Sequence, residues 1–252
     1  YEPTGGDPNL PGTSNYSIDT LMVINGSLNF ELNATGTIKG DIYVANGASL
    51  SFNPSTTVQN LEFKGSVTQR IYGDGNLTFG DSLNVVIDKP SSTDSVIIDK
   101  ELTIQRNLFI KKGWVALNEK LTVGKNVDMG EGSDEGRLSL SHGYGGDLEL
   151  GGDFIINAHG VFNPNNRAVF FTGNTDQTIT SHNPNNEVTY NYLVVNKPGG
   201  DLILDSSPGT TVNVNGSTGD VLVLTRGDID LNGQTFNLGG DGGEIKVEGS
   251  SG

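Results

Sequence analysis

Short alternations of apolar and polar residues run through the chain from about residue 20 to its end. Typical runs are SLNFEL at 27–32, LTI at 102–104 and LEL at 148–150. An apolar residue at every second position indicates a β-strand with one buried face. No window shows the i, i+3, i+4, i+7 spacing of a helix, so the pattern predicts an all-β chain of many short strands.

Many short strands fit either a β-sandwich, with hairpins and strands of about five or six residues, or a β-solenoid of stacked turns. An internal repeat favours the solenoid. FFTGNTDQTI at 170–179 repeats the pattern of EFKGSVTQRI at 62–71, and YLVVNKP at 192–198 that of NVVIDKP at 84–90. Both pairs have the same offset along the chain, and such long-period similarity is typical of repeat architectures.

The sequence therefore predicts a right-handed parallel β-helix (β-solenoid) of about ten short-stranded turns, with the hand taken from the general preference of parallel crossovers. We expect two tandem copies of a multi-turn unit, at about 41–124 and 150–240. Each copy is expected to begin at the same point of a turn of about 20–24 residues. We expect residues 18–252 to form a single solenoid domain, and the Pro- and Gly-rich residues 1–17 to form a flexible or docking N-terminal arm.

Composition narrows the classes of function. The chain has 252 residues, a formal net charge of −15 and no cysteine. The lack of cysteine excludes a disulfide scaffold and a thiolate metal site. The negative charge would repel a phosphate backbone, so nucleic acid is not an expected partner. No apolar run is long enough for a membrane-spanning helix.

Catalytic motifs are sparse. The three histidines are not spaced as metal ligands, and no GxSxG motif marks a nucleophile. Polysaccharide-processing solenoids are the enzyme alternative, because such enzymes place carboxylates in a groove along one face. The aspartates at strand ends that would serve are Asp88, Asp99, Asp205, Asp228 and Asp230. An aspartate at a strand end with a lysine next to it is also typical of a solvated strand edge.

One acidic segment is a candidate metal site. DMGEGSDEG at 128–136 contains Asp128, Glu131, Asp134 and Glu135, with no basic residue before Arg137. Such carboxylates repel one another unless they are solvated or bridged by a cation, and calcium accepts flexible oxygen ligation. The spacing matches neither an EF-hand nor the calcium-binding nonapeptide repeat. The alternative is a solvated insertion between the two copies; no cofactor other than calcium is expected.

The motif order FN…FxG…QxI…VNKP…LNG at 161–240, with a fainter copy at 51–124, resembles the β-helix repeat segments of large secreted adhesin-like surface proteins of Bacteroidota-type bacteria, which use type IX secretion. The resemblance covers about 60% of the chain. It implies an extracellular, cell-surface location and a non-enzymatic structural or adhesive role, as a rigid rod or filament subunit. This chain has more Asp and Asn than the Thr- and Ser-rich family pattern.

The expected partners are other surface-protein domains or copies of this chain, bound through the solenoid ends and the N-terminal arm, with glycans as a further class. The alternative function is a polysaccharide-binding or polysaccharide-cleaving β-helix that acts through one carboxylate-bearing face.

Overall fold

The protein is a parallel β-solenoid whose chain passes about ten times through the same set of faces. The structure, a computed structural model, describes residues 9–12, 15–54, 57–140, 145–240 and 242–248. In these residues it contains thirty β-strands, numbered in chain order, and no helix. Neighbouring strands pair in parallel, so the prediction of a parallel β-helix is confirmed and the sandwich alternative is wrong.

Each turn passes through three faces in the same order. Face A is an eleven-stranded sheet. Its strands are β1 (Asn9–Gly12), β4 (Ser27–Leu32), β7 (Ser49–Pro54), β10 (Asn76–Phe79), β13 (Leu102–Ile104), β15 (Leu121–Val123), β18 (Leu148–Leu150), β21 (Ala168–Phe171), β24 (Tyr192–Asn196), β27 (Gly219–Arg226) and β30 (Gly243–Val247).

Face B follows face A in every turn. Its strands are β2 (Tyr16–Ile18), β5 (Gly36–Ile38), β8 (Gln59–Phe63), β11 (Leu83–Asp88), β14 (Leu108–Leu117), β16 (Val127–Met129), β19 (Phe154–Ile156), β22 (Gln177–Ser181), β25 (Leu202–Leu204) and β28 (Ile229–Asp230).

Face C completes the turn. Its strands are β3 (Leu21–Val23), β6 (Ile42–Val44), β9 (Gln69–Tyr72), β12 (Ser95–Ile98), the second half of β14, β17 (Gly136–Ser139) and β20 (Gly160–Asn163). In the last turns a separate three-stranded sheet takes this third position. It consists of β23 (Glu187–Tyr190), β26 (Thr211–Val214) and β29 (Phe236–Leu238).

The turns differ in length more than the sequence predicted. Ile104 pairs with Val123 across a short turn, whereas Val195 pairs with Leu224 across a much longer one. The extra residues lie in the corners between strands, where a longer loop does not disturb the ladder. The eleven stacked strands of face A make ten steps of roughly 4.8 Å, which gives a stack about 48 Å long.

The core is a column of inward-facing side chains that stack from turn to turn. Phe30, Phe52 and Phe79 on face A are at most 5% exposed. Their ring centroids are 5.2 and 5.8 Å apart, with rings 18° and 14° from parallel. Burial of one such side chain contributes about 1.5–3 kcal/mol. Phe52→Ala, in the middle of the column, would therefore cost about 3–5 kcal/mol.

The two sequence copies lie on different faces. β8, which ends at Phe63, is on face B, whereas its counterpart β21, which ends at Phe171, is on face A. Likewise β9 is on face C and its counterpart β22 on face B. The expectation that both copies begin at the same point of a turn is therefore wrong. The offset between the copies is not a whole number of these unequal turns, and an apolar core lets a unit begin on any face.

The solenoid begins inside the segment that was predicted as an arm. In the described part of residues 1–17, β1 pairs with β4 and β2 with β5, both in parallel. Tyr16 and Ile18 pack against the core. The backbone of this Pro- and Gly-rich segment still supplies ladder hydrogen bonds, which composition alone did not indicate. Residues 1–8 and 13–14 lie outside the described residues.

Candidate functional site

The acidic segment predicted as a calcium site is neutralised by bases from a neighbouring turn. Glu131 pairs with Lys111 at 3.3 Å and Asp134 with Lys112 at 3.2 Å. Both lysines belong to β14, so stacking supplies the bases that the local sequence lacked. Glu135 pairs with Arg137 at 2.7 Å.

Asp128 stands apart from the other three carboxylates. It lies on β16, where Asn157 Nδ2 donates a hydrogen bond of 2.5 Å to its carboxylate. Burial raises the pKa of Asp128 above its ordinary value, and the hydrogen bond from Asn157 opposes this shift. Within the described residues no three acidic or histidine side chains form a metal-binding group. Calcium binding therefore stays a prediction from the sequence, without support from the geometry.

The five strand-end aspartates do not all lie in one carboxylate groove. Asp88 lies 3.2 Å from Lys64, and Asp99 lies 2.6 Å from Arg70 on a different face. Asp205 follows β25, five strand steps from β11 on face B, which corresponds to about 24 Å from Asp88. A glycosidase pair needs about 5–9.5 Å, so the structure does not pair Asp88 with Asp205.

The remaining strand-end aspartates and the histidines lie at the surface. Asp228 and Asp230 are exposed beside face B, and Asp230 accepts a hydrogen bond of 2.8 Å from the backbone N–H of Asn232. His159 and His182 are exposed in corners between strands, as the sequence predicted. His142 lies outside the described residues.

The repeated segments EFKGSVTQRI at 62–71 and NVVIDKP at 84–90 form a buried polar unit, which we call the first Gln–Lys bracket. Gln69 is fully buried and Lys89 is 1% exposed. Lys89 Nζ donates to Gln69 Oε1 at 2.5 Å and to the Val67 carbonyl at 3.0 Å. The Gly65 backbone N–H donates to the same Oε1 at 3.0 Å, and Gln69 Nε2 donates to the Gly40 carbonyl at 2.6 Å. The bracket therefore ties three consecutive turns together.

The second Gln–Lys bracket repeats these contacts in the second sequence copy. Lys197 Nζ donates to Gln177 Oε1 and to the Thr175 carbonyl, each at 2.8 Å. The Gly173 N–H donates to Gln177 Oε1 at 2.8 Å, and Gln177 Nε2 donates to the Gly152 carbonyl at 2.6 Å. The strand pairing beside each lysine also shifts register at the equivalent position. The two copies are thus related atom by atom, although they lie on different faces.

Burial sets the electrostatics of both brackets. It lowers the pKa of Lys89 to about 8, against a weaker opposing effect of Asp94. It also lowers the pKa of Lys197, with Asp176, Asp201 and Asp153 opposing the shift. A buried ammonium group is tolerated only when acceptors surround it. Because those acceptors are a glutamine and backbone carbonyls inside the stack, the brackets have a structural role.

The sequence contains a signal for these brackets, namely the alternation of inward and outward positions. The alternation that directs Leu193 and Val195 inward also directs Lys197 inward, and Gln177 shares the inward parity of Ile179. This signal is masked because a lysine beside an aspartate at a strand end normally marks a solvated edge.

The last turn of the described chain has inward positions without a covering layer. β30 pairs with β27 and β29 with β26, so Ile245 and Leu238 occupy core-facing register positions. Leu231 and Leu238 are nevertheless 43% and 44% exposed, and Ile245 and Val247 are 55% and 70% exposed. The equivalent positions of interior turns are close to fully buried. Within the described residues, this end therefore presents an apolar strip beside a strand edge that pairs with no further strand.

Comparison of the chain with protein-family models, curated proteins and solved structures finds no match. The resemblance to adhesin-like surface proteins thus stays a prediction from the sequence. Across the described ranges, no helix has the length and apolarity needed to cross a membrane.

Proposed function

We propose that this chain is a non-enzymatic structural and adhesive module that works outside the cell, as a rigid rod or repeating subunit of a surface protein or filament. The observation that carries the proposal is the direction of the buried charges. Lys89 and Lys197 are the charged side chains buried in the described chain, and both bind inward to glutamine and backbone carbonyls. A catalytic site would instead direct such groups toward a cleft.

The stack itself supports a rod. Each turn buries its apolar side chains against the next, and the brackets add polar cross-links between consecutive turns. Repeat proteins of this kind extend by adding turns, with each turn in contact only with its neighbours.

The open last turn supports the filament part of the proposal. Its exposed strand edge and the apolar positions Ile245 and Val247 suit the stacking of one more layer of solenoid strands. We assign that layer to a second copy of this chain. Ile245→Asn with Val247→Asn should then lower the mean mass measured by light scattering at high protein concentration. The control is Val67→Asn, because Val67 is 62% exposed but lies in a corner loop away from this end. An equal effect of both variants, or no association of the wild type, would argue against a filament.

The enzyme alternative is tested by incubating the protein with neutral and acidic polysaccharides and measuring new reducing ends. We expect no cleavage. Cleavage that one Asp→Asn substitution among the five strand-end aspartates abolishes would overturn the non-enzymatic proposal.

A further inference from the structure

Face B carries the half-buried Phe109 on its outer surface, next to the outward-directed but buried Val86. Val86 and Phe109 lie side by side in register on β11 and β14, at positions that alternate with inward-facing residues. Val86 is 3% exposed and Phe109 is half-buried. We call this pair the outer strip. An outward aromatic next to an outward aliphatic residue is not needed for the core, since Val85, Ile87, Leu108 and Ile110 fill the inward positions.

Polar side chains border the outer strip on two sides. On one side Asn84 Nδ2 donates to Asn60 Oδ1 at 3.0 Å, and Asn107 Nδ2 donates to Asn84 Oδ1 at 3.1 Å. On the other side Lys111 and Glu131 form an ion pair of 3.3 Å. Together they enclose a shallow cavity of about 250 Å³, which is lined by Asn60, Asn84, Val86, Phe109, Lys111 and Glu131.

These borders keep hydrogen-bonding capacity for a ligand. A carboxamide has two N–H donors, and the amide row uses one from Asn84 and one from Asn107. Lys111 and Glu131 are 46% and 59% exposed, so both can exchange their mutual contact for a ligand. Donors and acceptors around an apolar floor match a ring that has an apolar face and hydroxyl groups at its edge.

The backbone argues against an extended peptide as the occupant. Strand addition requires a free sheet edge. β8, β11, β14 and β16 are interior strands of face B, and each pairs with a neighbour on both sides. Recognition at the outer strip therefore depends on side chains.

Charge narrows the class of ligand further. The chain has a net charge of −15, and Glu131 lies within the site while Asp128 is the next residue in register after Phe109. An anionic polymer would be repelled. We propose that the outer strip binds a neutral, hydroxyl-rich sugar ring of a glycan chain, with the apolar face of the ring on Phe109. The hydroxyl groups then meet the amide row and the Lys111–Glu131 pair. This goes beyond the rod function, which requires no ligand.

The second copy supplies a matched control. The counterparts of Val86 and Phe109 are Val194 and Val223, which pair in register with each other on the outside of face A. On its other side Val194 pairs with Phe170. Tyr192 stands at the position of Asn84 and Thr225 at that of Lys111. This surface therefore has the apolar floor without the amide row and the ion pair.

The test is titration of the protein with neutral gluco-, manno-, xylo- and chito-oligosaccharides, and with pectin and alginate oligosaccharides as anionic probes. We expect at least one neutral probe to bind the wild type, and Phe109→Ala to weaken that binding by about tenfold or more. Phe170→Ala should leave the Kd within about twofold. Lys111→Met, at a half-exposed position, gives a second variant if Phe109→Ala proves unstable, and should also weaken binding.

Three results would overturn the glycan site: no neutral probe binds, the anionic probes bind best, or both Phe109→Ala and Lys111→Met bind as the wild type does. None of them would affect the rod proposal, which is measured by polysaccharide cleavage and by association.

Discussion

The two copies of the repeat agree in their interior and differ at their surface. In both brackets the lysine donates to the glutamine Oε1, and the glutamine amide reaches the preceding turn at 2.6 Å. In both copies an aspartate of that preceding turn accepts a hydrogen bond of 2.8 Å from a backbone N–H of the next strand. Arg70 N–H donates to Asp41 in the first copy, and Thr178 N–H donates to Asp153 in the second.

Outside, the copies have little in common. The first copy surrounds Phe109 with an asparagine row and the Lys111–Glu131 ion pair. The second has Tyr192 and Thr225 at two of the equivalent positions. Contacts that hold adjacent turns together tolerate little change, whereas outward side chains are free to vary. Any specific recognition of a ligand is therefore expected at the outer surface. The brackets are expected to affect stability alone.

Among the changes that compare the two copies, the largest expected effect comes from breaking either bracket. Gln69→Leu or Gln177→Leu leaves a buried ammonium and a backbone N–H without their shared acceptor, so each should lower the free energy of unfolding by about 3 kcal/mol. Denaturant titration measures this. Addition of Lys197→Met to Gln177→Leu should restore part of the loss, because the buried charge is removed. A large cost in one copy and none in the other would contradict their equivalence.

The dependence of the free energy of unfolding on pH tests the electrostatics of the first bracket. The pKa of Lys89 is about 8 in the folded protein, against 10.5 for an ordinary lysine. The folded state therefore binds fewer protons between these values, so the contribution of Lys89 to the free energy of unfolding should rise as the pH increases from about 8 to 10.5. The expected rise is on the order of 1–3 kcal/mol. The measurement is the difference between the wild type and Lys89→Met at pH 8 and pH 10; a difference that falls with pH would reverse the assigned shift.

Two glycines that contact the bracket lysines should distinguish the copies by a smaller change in stability. Gly113 and Gly227 have φ of +104° and +87°. A Cβ at Gly113 would overlap Lys89 Cγ, whereas one at Gly227 would lie 2.9 Å from Lys197 Cβ. Alanine is strained at both positions, and we expect Gly113→Ala to cost about 2–3 kcal/mol and Gly227→Ala about 1–2 kcal/mol. Thermal unfolding of both variants provides the comparison, and equal costs would show that strain in φ outweighs the contact with lysine.

The smallest expected effect concerns calcium at the acidic segment. Glu131, Asp134 and Glu135 already have basic partners, so millimolar calcium should change the unfolding midpoint little relative to a chelator. A clear rise that Asp128→Asn with Asp134→Asn abolishes would restore the calcium site that the sequence predicted.

The fold was predictable from the sequence because its signal is periodic. Alternation indicated the strands, and the long-period repeat distinguished a solenoid from a sandwich. The change of face between the copies was not predictable, since it depends on how many corner residues each turn adds. The short turn from Ile104 to Val123 and the long turn from Val195 to Leu224 show how widely that number varies.

The candidate sites were harder to predict because they depend on register between turns. Lys111 and Lys112 meet the acidic segment only through the pairing of β14 with β16 and β17. Phe109 joins Val86 only through the pairing of β11 with β14. Continuous apolar runs at 85–87 and 108–110 were the available signal for an apolar outer surface.

Hydrogen–deuterium exchange directly tests whether both brackets hold the turns together in one rigid stack. The backbone N–H groups of Gly65 and Gly173 donate to the bracket glutamines, although they lie in corners, where amides normally exchange fast. If the brackets lock the stack, the N–H groups of both glycines exchange as slowly as those of the core strands and only through global unfolding. Fast exchange at either glycine, or protection of one copy alone, would contradict this prediction.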